Sequence, residues 1–147
     1  MIVSDIDTQI ADYLNRYAET LTNFDATGAS ALWAMPGVIV DDNFSGVVES
    51  REAMAAGLEQ SYPLYKKLGL FSVGYELLRQ EQLSDALTRV HVRWLFYDVN
   101  GDQLIDSNGH YILRREDDGL RACVCIQTDD AMKLQSLAAD RGIDLFG

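Results

Sequence analysis

The feature that most constrains the fold is an Asn-Gly pair at residues 100 and 101, between two segments rich in β-branched and aromatic residues. The segment before the pair reads RVHVRWLFYDV and the segment after it begins DQLID, and both compositions favour extended strands. Asn-Gly is the strongest short hairpin signal because both residues tolerate the positive φ that a two-residue turn requires. The sequence therefore predicts a β-hairpin that turns at Asn100 and Gly101.

The same stretch has the beginning of a calcium-binding loop, with Asp98, Asn100 and Asp102 at alternate positions. Such a loop also needs glycine at its sixth position and a bidentate glutamate at its twelfth. Those two positions hold Gln103 and Gly109. We therefore interpret the acidic residues as turn formers and predict no metal site.

The position of the turn fixes which side chains share each face of the hairpin. Counting outward places Asp98 opposite Gln103 and Phe96 opposite Ile105. One face then carries Val90, Val92, Trp94, Phe96, Ile105, Ser107, Gly109, Tyr111 and Leu113. Because this face is the more apolar one, it is predicted to lie against the helices.

Two small residues, Ser107 and Gly109, interrupt the face that is predicted to lie in the core. A packed core would place larger apolar residues at these positions. Either a pocket lies beside an aromatic floor of Trp94 and Phe96, or a bulky residue such as Trp33 fills the space. Both alternatives are open from the sequence, and these residues are the candidate ligand contacts.

The opposite face of the hairpin is polar and aromatic. It carries Arg89, His91, Arg93 and Tyr97, which face Ile112, His110, Asn108 and Leu104 in the predicted register. His91 and His110 are direct neighbours, but no third metal ligand is assured beside them. A mixed polar and aromatic face is typical of a subunit contact, so we expect a homodimer through the surface around His91, Arg93 and His110.

Composition limits the remaining partners. The 147 residues, 48% of them hydrophobic, suffice for one domain over residues 1–147. A formal net charge of −11 repels phosphate backbones and anionic lipid headgroups, so neither nucleic acid nor a membrane is expected as a partner. The opening MIVSDIDTQ has acids where a signal peptide has a basic flank, which predicts a cytoplasmic location.

The first part of the chain is predicted to be mainly helical. Apolar residues recur every three or four positions from Ile6 to Phe24, which predicts an amphipathic helix with Tyr17 in its inward stripe. A short second helix is predicted through Leu32 and Trp33, before Met35-Pro36-Gly37. The next segment, GVIVDD, is predicted to be a strand that continues through Asp42.

The second part is predicted to be mainly sheet. Ser50 begins a helix that is expected to bend or restart at Pro63 and to end at Gly69. Consecutive strands follow up to a last helix near Asp129. Helices followed by consecutive antiparallel strands predict an α+β domain in which a curved sheet closes over helices on one face.

Two segments carry a family resemblance. RYAETLTNFDATGASALWAMPGVIVDD resembles the opening of ketosteroid isomerase, and GHYILRREDDGLR is similar to the closing strands of the same family. The chain thus resembles the nuclear transport factor 2-like superfamily, which includes ketosteroid isomerase, scytalone dehydratase and the SnoaL-like polyketide cyclases. This resemblance implies a cystatin-like cone, with N-terminal helices packed on the concave face of a curved, mostly antiparallel sheet.

The resemblance also implies a set of site residues. Tyr17 matches the position of the isomerase's oxyanion-hole tyrosine, and Tyr111 matches the position of its second oxyanion-hole donor. Asp41 matches the position of the general base, and Asp42 would take that position if the strand were shifted. Independently of the resemblance, an acidic chain with no phosphate loop, no metal constellation and an aromatic-lined hole suits a small, largely apolar carbonyl ligand, and no cofactor is expected. The implied chemistry is proton abstraction of the isomerase, dehydratase or cyclase type. A non-catalytic ligand-binding or dimerising accessory domain is the alternative that stays open.

Overall fold

A computed structural model describes residues 5–143 of the chain. Within this range the helices are α1 (Asp5–Thr22), α2 (Ala26–Ser30), α3 (Arg51–Lys67) and α4 (Asp130–Asp140). The strands are β1 (Trp33–Val40), β2 (Ser45–Val48), β3 (Ser72–Gln82), β4 (Leu87–Tyr97), β5 (Gln103–Glu116) and β6 (Gly119–Gln127). The α+β class predicted from the sequence is confirmed.

The six strands form one curved, mostly antiparallel sheet in the order β2-β1-β6-β5-β4-β3. The pair β1 and β6 is parallel, whereas the other neighbours are antiparallel. The last strand in the chain therefore lies beside the first, which places residues from both ends of the sequence around one concave surface. No helix within residues 5–143 combines the length and apolar character needed to cross a membrane.

The core lies between α1 and the concave face of the sheet. The predicted inward stripe of α1 is buried, with Ile10, Leu14 and Tyr17 all below 9% exposed. Val90 and Leu113 on the facing strands are fully buried in the same cluster. The apolar side chains of α1 and the inward side chains of the strands thus pack together in one layer, as the sequence predicts.

The hairpin of β4 and β5 has the predicted register over most of its length. Phe96 pairs with Ile105, Trp94 with Ser107, and further pairs include Val92 with Gly109, Val90 with Tyr111, and His91 with His110. The prediction was wrong at the turn, where Tyr97 rather than Asp98 lies opposite Gln103. A register shift between Phe96 and Tyr97 compensates for this difference.

The side chain of Asp98 explains the wider turn. Its carboxylate accepts the backbone N–H groups of Asn100 at 2.9 Å and Asp102 at 3.0 Å. The backbone N–H of Gly101 donates to the Asp98 carbonyl at 3.0 Å, and Gly101 has a φ of 83°. Local hydrogen bonds from an aspartate therefore outweigh the two-residue turn that Asn-Gly alone would favour.

Helix α3 departs from the expected break at Pro63, because it continues from Arg51 to Lys67 with Pro63 inside it. Pro63 is exposed, so water can solvate the backbone carbonyl that proline leaves without a helical partner. The predicted end at Gly69 is confirmed, since its φ is 94° and its N–H donates to the Lys66 carbonyl at 3.0 Å.

The polar face of the hairpin lies on the side of the sheet opposite α1, as the register predicts, and α4 contacts it through the ion pair of Lys133 with Asp106. His91 and His110 are half-buried and stack with ring centroids 4.1 Å apart. The His91 Nε2 atom lies 2.9 Å from the Asn108 Oδ1 atom. Burial, the neighbouring His91 and Arg89 lower the pKa of His110, so its neutral form is favoured.

Candidate functional site

A cavity of about 130 Å³ lies between the helices and the concave face of the sheet. Helical and loop residues supply one side of its lining: Tyr17, Leu21, Phe24, Leu58, Ser61, Tyr62, Tyr65 and Leu70. The sheet supplies the other side: Trp94, Phe96, Ser107, Tyr111 and Gln127. Five residues that were predicted from the sequence as catalytic or ligand-contacting therefore line one cavity: Tyr17, Trp94, Phe96, Ser107 and Tyr111.

Three aromatic side chains make the core of this lining. The Tyr17 ring centroid lies 5.4 Å from that of Trp94 and 6.1 Å from that of Tyr111. Trp94 and Tyr111 meet edge to face at 6.3 Å, and the indole Nε1–H of Trp94 donates to the Tyr111 hydroxyl at 2.9 Å. These contacts fix the position of each ring before any ligand enters.

Gly109 allows the Tyr111 ring to reach Trp94. A Cβ atom at residue 109 would lie only 2.8 Å from the Cε2 atom of Tyr111, so a larger side chain would displace the ring. The two small residues noted in the sequence therefore have different roles. The space above Gly109 holds the Tyr111 ring, whereas Ser107 lines the cavity.

Two of the four tyrosines that line the cavity, Tyr17 and Tyr111, accept hydrogen bonds from indole N–H groups and stay protonated. Trp33 Nε1–H donates to the Tyr17 hydroxyl at 3.0 Å, as Trp94 does to Tyr111. Burial, followed by the neighbouring Cys125, raises the pKa of both tyrosines. Tyr111 also hydrogen-bonds Cys125. The Tyr17 hydroxyl proton has no acceptor among residues 5–143, so it can serve a ligand.

Trp33 supports the site from outside the cavity. It was predicted at the end of the second helix and as a candidate ligand contact, but α2 ends at Ser30 and Trp33 begins β1. Its side chain is 2% exposed and is absent from the cavity lining. The indole therefore does not fill the space beside Ser107 but holds the Tyr17 hydroxyl.

The predicted meeting of Asp41 with the two tyrosines was wrong. Strand β1 ends at Val40, two residues before the predicted end, so Asp41 and Asp42 lie exposed in the turn to β2. The Asp41 carboxylate accepts the backbone N–H of Asn43 at 2.8 Å. Both acids line a separate cavity of about 260 Å³, which shares only Gln127 with the aromatic cavity. A local turn hydrogen bond therefore holds the acid that the resemblance placed at the site.

Comparison with known families agrees with this architecture. Residues 4–130 match the family described as NTF2-like protein (DUF6841). The chain belongs to this family. No curated protein matches this NTF2-like chain.

Solved structures of low sequence identity share the fold. An NTF-2 like protein of unknown function from Shewanella oneidensis has a TM-score of 0.68 and 14% identity, over 84% of this chain and 98% of that one. A domain with a cystatin-like fold from Nostoc punctiforme has a TM-score of 0.70 and 13% identity, over 98% and 90%. A ketosteroid isomerase-like protein from Erwinia carotovora atroseptica has a TM-score of 0.61 and 13% identity, over 86% and 97%.

Several residues of the NTF2-like cavity were missed by sequence reasoning. Helix α3 contributes Leu58, Tyr62 and Tyr65, whose spacing of four and three marks one face of a helix. An apolar stripe of this kind does not distinguish a cavity wall from a packed core. Phe24 was predicted within the first helix, but α1 ends at Thr22, and Phe24 lies after it with a φ of 52°.

Proposed function

We propose that this NTF2-like protein binds a small, largely apolar carbonyl compound in the cavity lined by Tyr17, Trp94 and Tyr111. The observation that carries the proposal is the Tyr17 hydroxyl, which lies in a buried aromatic lining and has no acceptor for its proton among the described residues. A buried donor without an acceptor gains a full hydrogen bond when a ligand oxygen reaches it. A carbonyl oxygen supplies such an acceptor.

The size of the cavity limits the ligand to about one ring. Its volume is about 130 Å³. An engineered apolar cavity of about 150 Å³ in another protein takes up benzene, which sets the scale. A cyclic ketone with a single six-membered ring therefore suits the site, whereas a fused polycyclic ligand would require the walls to move.

The charge of the lining favours a neutral ligand. Among the described residues that line the cavity there is no Asp, Glu, Lys, Arg or His side chain. Burying an ionised ligand in such a lining would leave its charge without a counter-charge, which costs free energy. The raised pKa values of Tyr17 and Tyr111 keep both phenols as neutral donors near neutral pH.

The geometry supports binding better than proton abstraction. Two phenols could stabilise a developing enolate, but a general base must lie within hydrogen-bond reach of the proton, directly or through one water. Asp41 and Asp42 are exposed at the other cavity. We therefore propose a ligand-binding domain and assign no catalytic base to either acid.

The proposal is tested by comparing two single-ring probes in a solution NMR titration. We expect cyclohexanone to bind about fivefold more tightly than methylcyclohexane, since one net hydrogen bond contributes about 1 kcal/mol and only the ketone has an acceptor. Asp41→Asn is the control, and we expect it to leave the affinity for cyclohexanone unchanged. Equal binding of the two probes, or binding of neither, would contradict the proposal.

We also propose that the protein forms a homodimer through the outer sheet face. Val47, Val38, Val124 and Ile112 form one row across four strands of this face. Val40, Ile126, His110 and His91 form the next row.

The outer face combines apolar surface with basic side chains. Val47 is 58% exposed and Ile126 is 38% exposed, so apolar surface lies beside the histidine pair and beside Arg89 and Arg93. Because the remainder of the acidic protein would repel itself, this less acidic face is the best place for self-association.

Light scattering at micromolar concentration is expected to give the mass of a dimer. Ile126→Glu should shift the protein to a monomer, since it would bury a charge in the contact. Leu83→Glu, at an exposed residue between β3 and β4, is the matched control and should leave the dimer intact. A monomeric wild-type protein would overturn the proposal.

A further inference from the structure

The hydroxyl of Tyr62 is a buried polar atom without a hydrogen-bond partner. Among the described residues, the buried side-chain atoms in this condition are the Tyr62 hydroxyl and Gln9 Oε1, and of these two residues only Tyr62 lines the aromatic cavity. Buried polar groups are rarely left unpaired, because their lost hydration is then not replaced. The position of this hydroxyl therefore calls for a partner that residues 5–143 do not supply.

The packing around Tyr62 keeps its ring in place. The side chain is 8% exposed, and its ring meets that of Phe24 edge to face with centroids 5.1 Å apart. Phe24 has a φ of 52°, a left-handed conformation that residues other than glycine rarely adopt. Lys66 Nζ lies 4.8 Å from the centroid of the Phe24 ring. A turn in an unusual backbone conformation thus packs against Tyr62 beside the cavity.

The electrostatic surroundings make Tyr62 a donor. Burial, followed by the negative charges of Asp25 and Glu59, raises its pKa, so the phenol keeps its proton. Tyr17 and Tyr62 line the same cavity, and Tyr62 contributes to the raised pKa of Tyr17. The cavity therefore has two neighbouring phenol protons, from Tyr17 and Tyr62, that no described residue accepts.

We infer that Tyr62 is a ligand-binding residue that donates its hydroxyl proton to the same ligand oxygen as Tyr17. This inference rests on the proposed function and adds a second hydrogen-bond donor to the same site. A carbonyl oxygen has two lone pairs and can accept both protons at once. The site thus suits ketones and related carbonyl compounds better than single-ring hydrocarbons of the same size.

The test is Tyr62→Phe, for which we expect opposite effects on the free and the bound protein. Loss of an unpaired buried hydroxyl should leave the thermal midpoint of the free protein unchanged or raise it. The same loss should weaken cyclohexanone binding about five- to tenfold and leave methylcyclohexane binding unchanged. Isothermal calorimetry and thermal melting give the two readouts.

Tyr13→Phe is the matched control, because the Tyr13 hydroxyl is buried, donates to the Leu32 carbonyl at 2.7 Å and belongs to a residue outside the cavity lining. It should lower the thermal midpoint and leave cyclohexanone affinity unchanged. A second measurement needs no substitution at Tyr62. In the wild-type protein labelled at tyrosine Cζ, the Tyr62 resonance should shift more with cyclohexanone than with methylcyclohexane.

The outcomes separate this inference from the proposed function. If the wild-type protein binds cyclohexanone and Tyr62→Phe binds it equally well, the inference is overturned and the proposed function stands. The same holds if the Tyr62 resonance responds equally to both probes. If the wild-type protein fails to bind cyclohexanone, the proposed function and the inference both fall.

Discussion

Replacing Ser107 with leucine is expected to lower the affinity for cyclohexanone about a hundredfold, at the upper end of the 1–3 kcal/mol that overpacking costs. Ser107 is 5% exposed and lines the cavity opposite Tyr17 and Tyr62. Leucine would occupy much of a space of about 130 Å³, so the ligand could enter only by displacing the aromatic walls. Calorimetric titration of the purified variant with cyclohexanone measures the loss.

The stability of Ser107→Leu should not fall with its affinity. The Ser107 hydroxyl makes no hydrogen bond to another described residue, and an added apolar side chain would fill existing space. Ser107→Ala is the control, because it removes the hydroxyl without filling the cavity and should retain most of the affinity. Undiminished cyclohexanone binding by a folded Ser107→Leu variant would show that the ligand lies elsewhere.

Leu113→Ala is expected to lower the free energy of unfolding by about 2–5 kcal/mol, the usual loss when a buried leucine is truncated. Leu113 is fully buried on the concave face, in the cluster that includes α1. Its neighbour Ile112 points to the outer face and is half-buried. Ile112→Ala should therefore cost less than half as much, as measured by urea unfolding of both variants.

The substitutions Leu113→Ala and Ile112→Ala test the register of β5 as well as the stability of the protein. A strand that slipped by one residue would exchange the two faces and reverse the order of the two losses. Equal losses would mean that β5 is buried on both sides, which is incompatible with an exposed outer face. Because Ile112 also lies on the proposed dimer face, both substitutions should be compared in the Ile126→Glu background, where dimer formation should not contribute to stability.

The register of the central hairpin could be predicted because the same alternation of apolar and polar residues repeats along both strands. Alternation of apolar and polar residues places Trp94 and Tyr111 on one face and His91 and His110 on the other. The error at the turn did not spread, since a register shift next to Tyr97 cancels the extra turn residue. The apolar contacts farther along the strands outweigh the preference of two turn residues.

The composition of the site could be predicted on its sheet side and at Tyr17 of α1. Trp94, Ser107 and Tyr111 follow from strand alternation, and Tyr17 follows from the helical stripe together with the family resemblance. The α3 wall depends on how a helix packs against the sheet, and residue spacing within the helix does not define that packing. Tyr62 looks like any other core residue until the surroundings of its hydroxyl are known.

The placement of Asp41 could not be predicted because it depends on where a strand ends. A shift of one or two residues moves a side chain from one face of a sheet to the other or into a turn. The sequence after Val40 contains both a continuation of the strand and a good turn, Asp-Asp-Asn. In the folded protein the turn prevails, and Asp41 accepts the Asn43 N–H instead of facing the aromatic cavity.

A crystal structure of the protein soaked with cyclohexanone would locate the bound ligand. The proposed function predicts density for one ring packed against Trp94, with the ketone oxygen within hydrogen-bond distance of the Tyr17 hydroxyl. The further inference adds the Tyr62 hydroxyl as the second donor to that oxygen. Cyclohexanone found beside Asp41 and Asp42, with the aromatic cavity empty, would contradict the account.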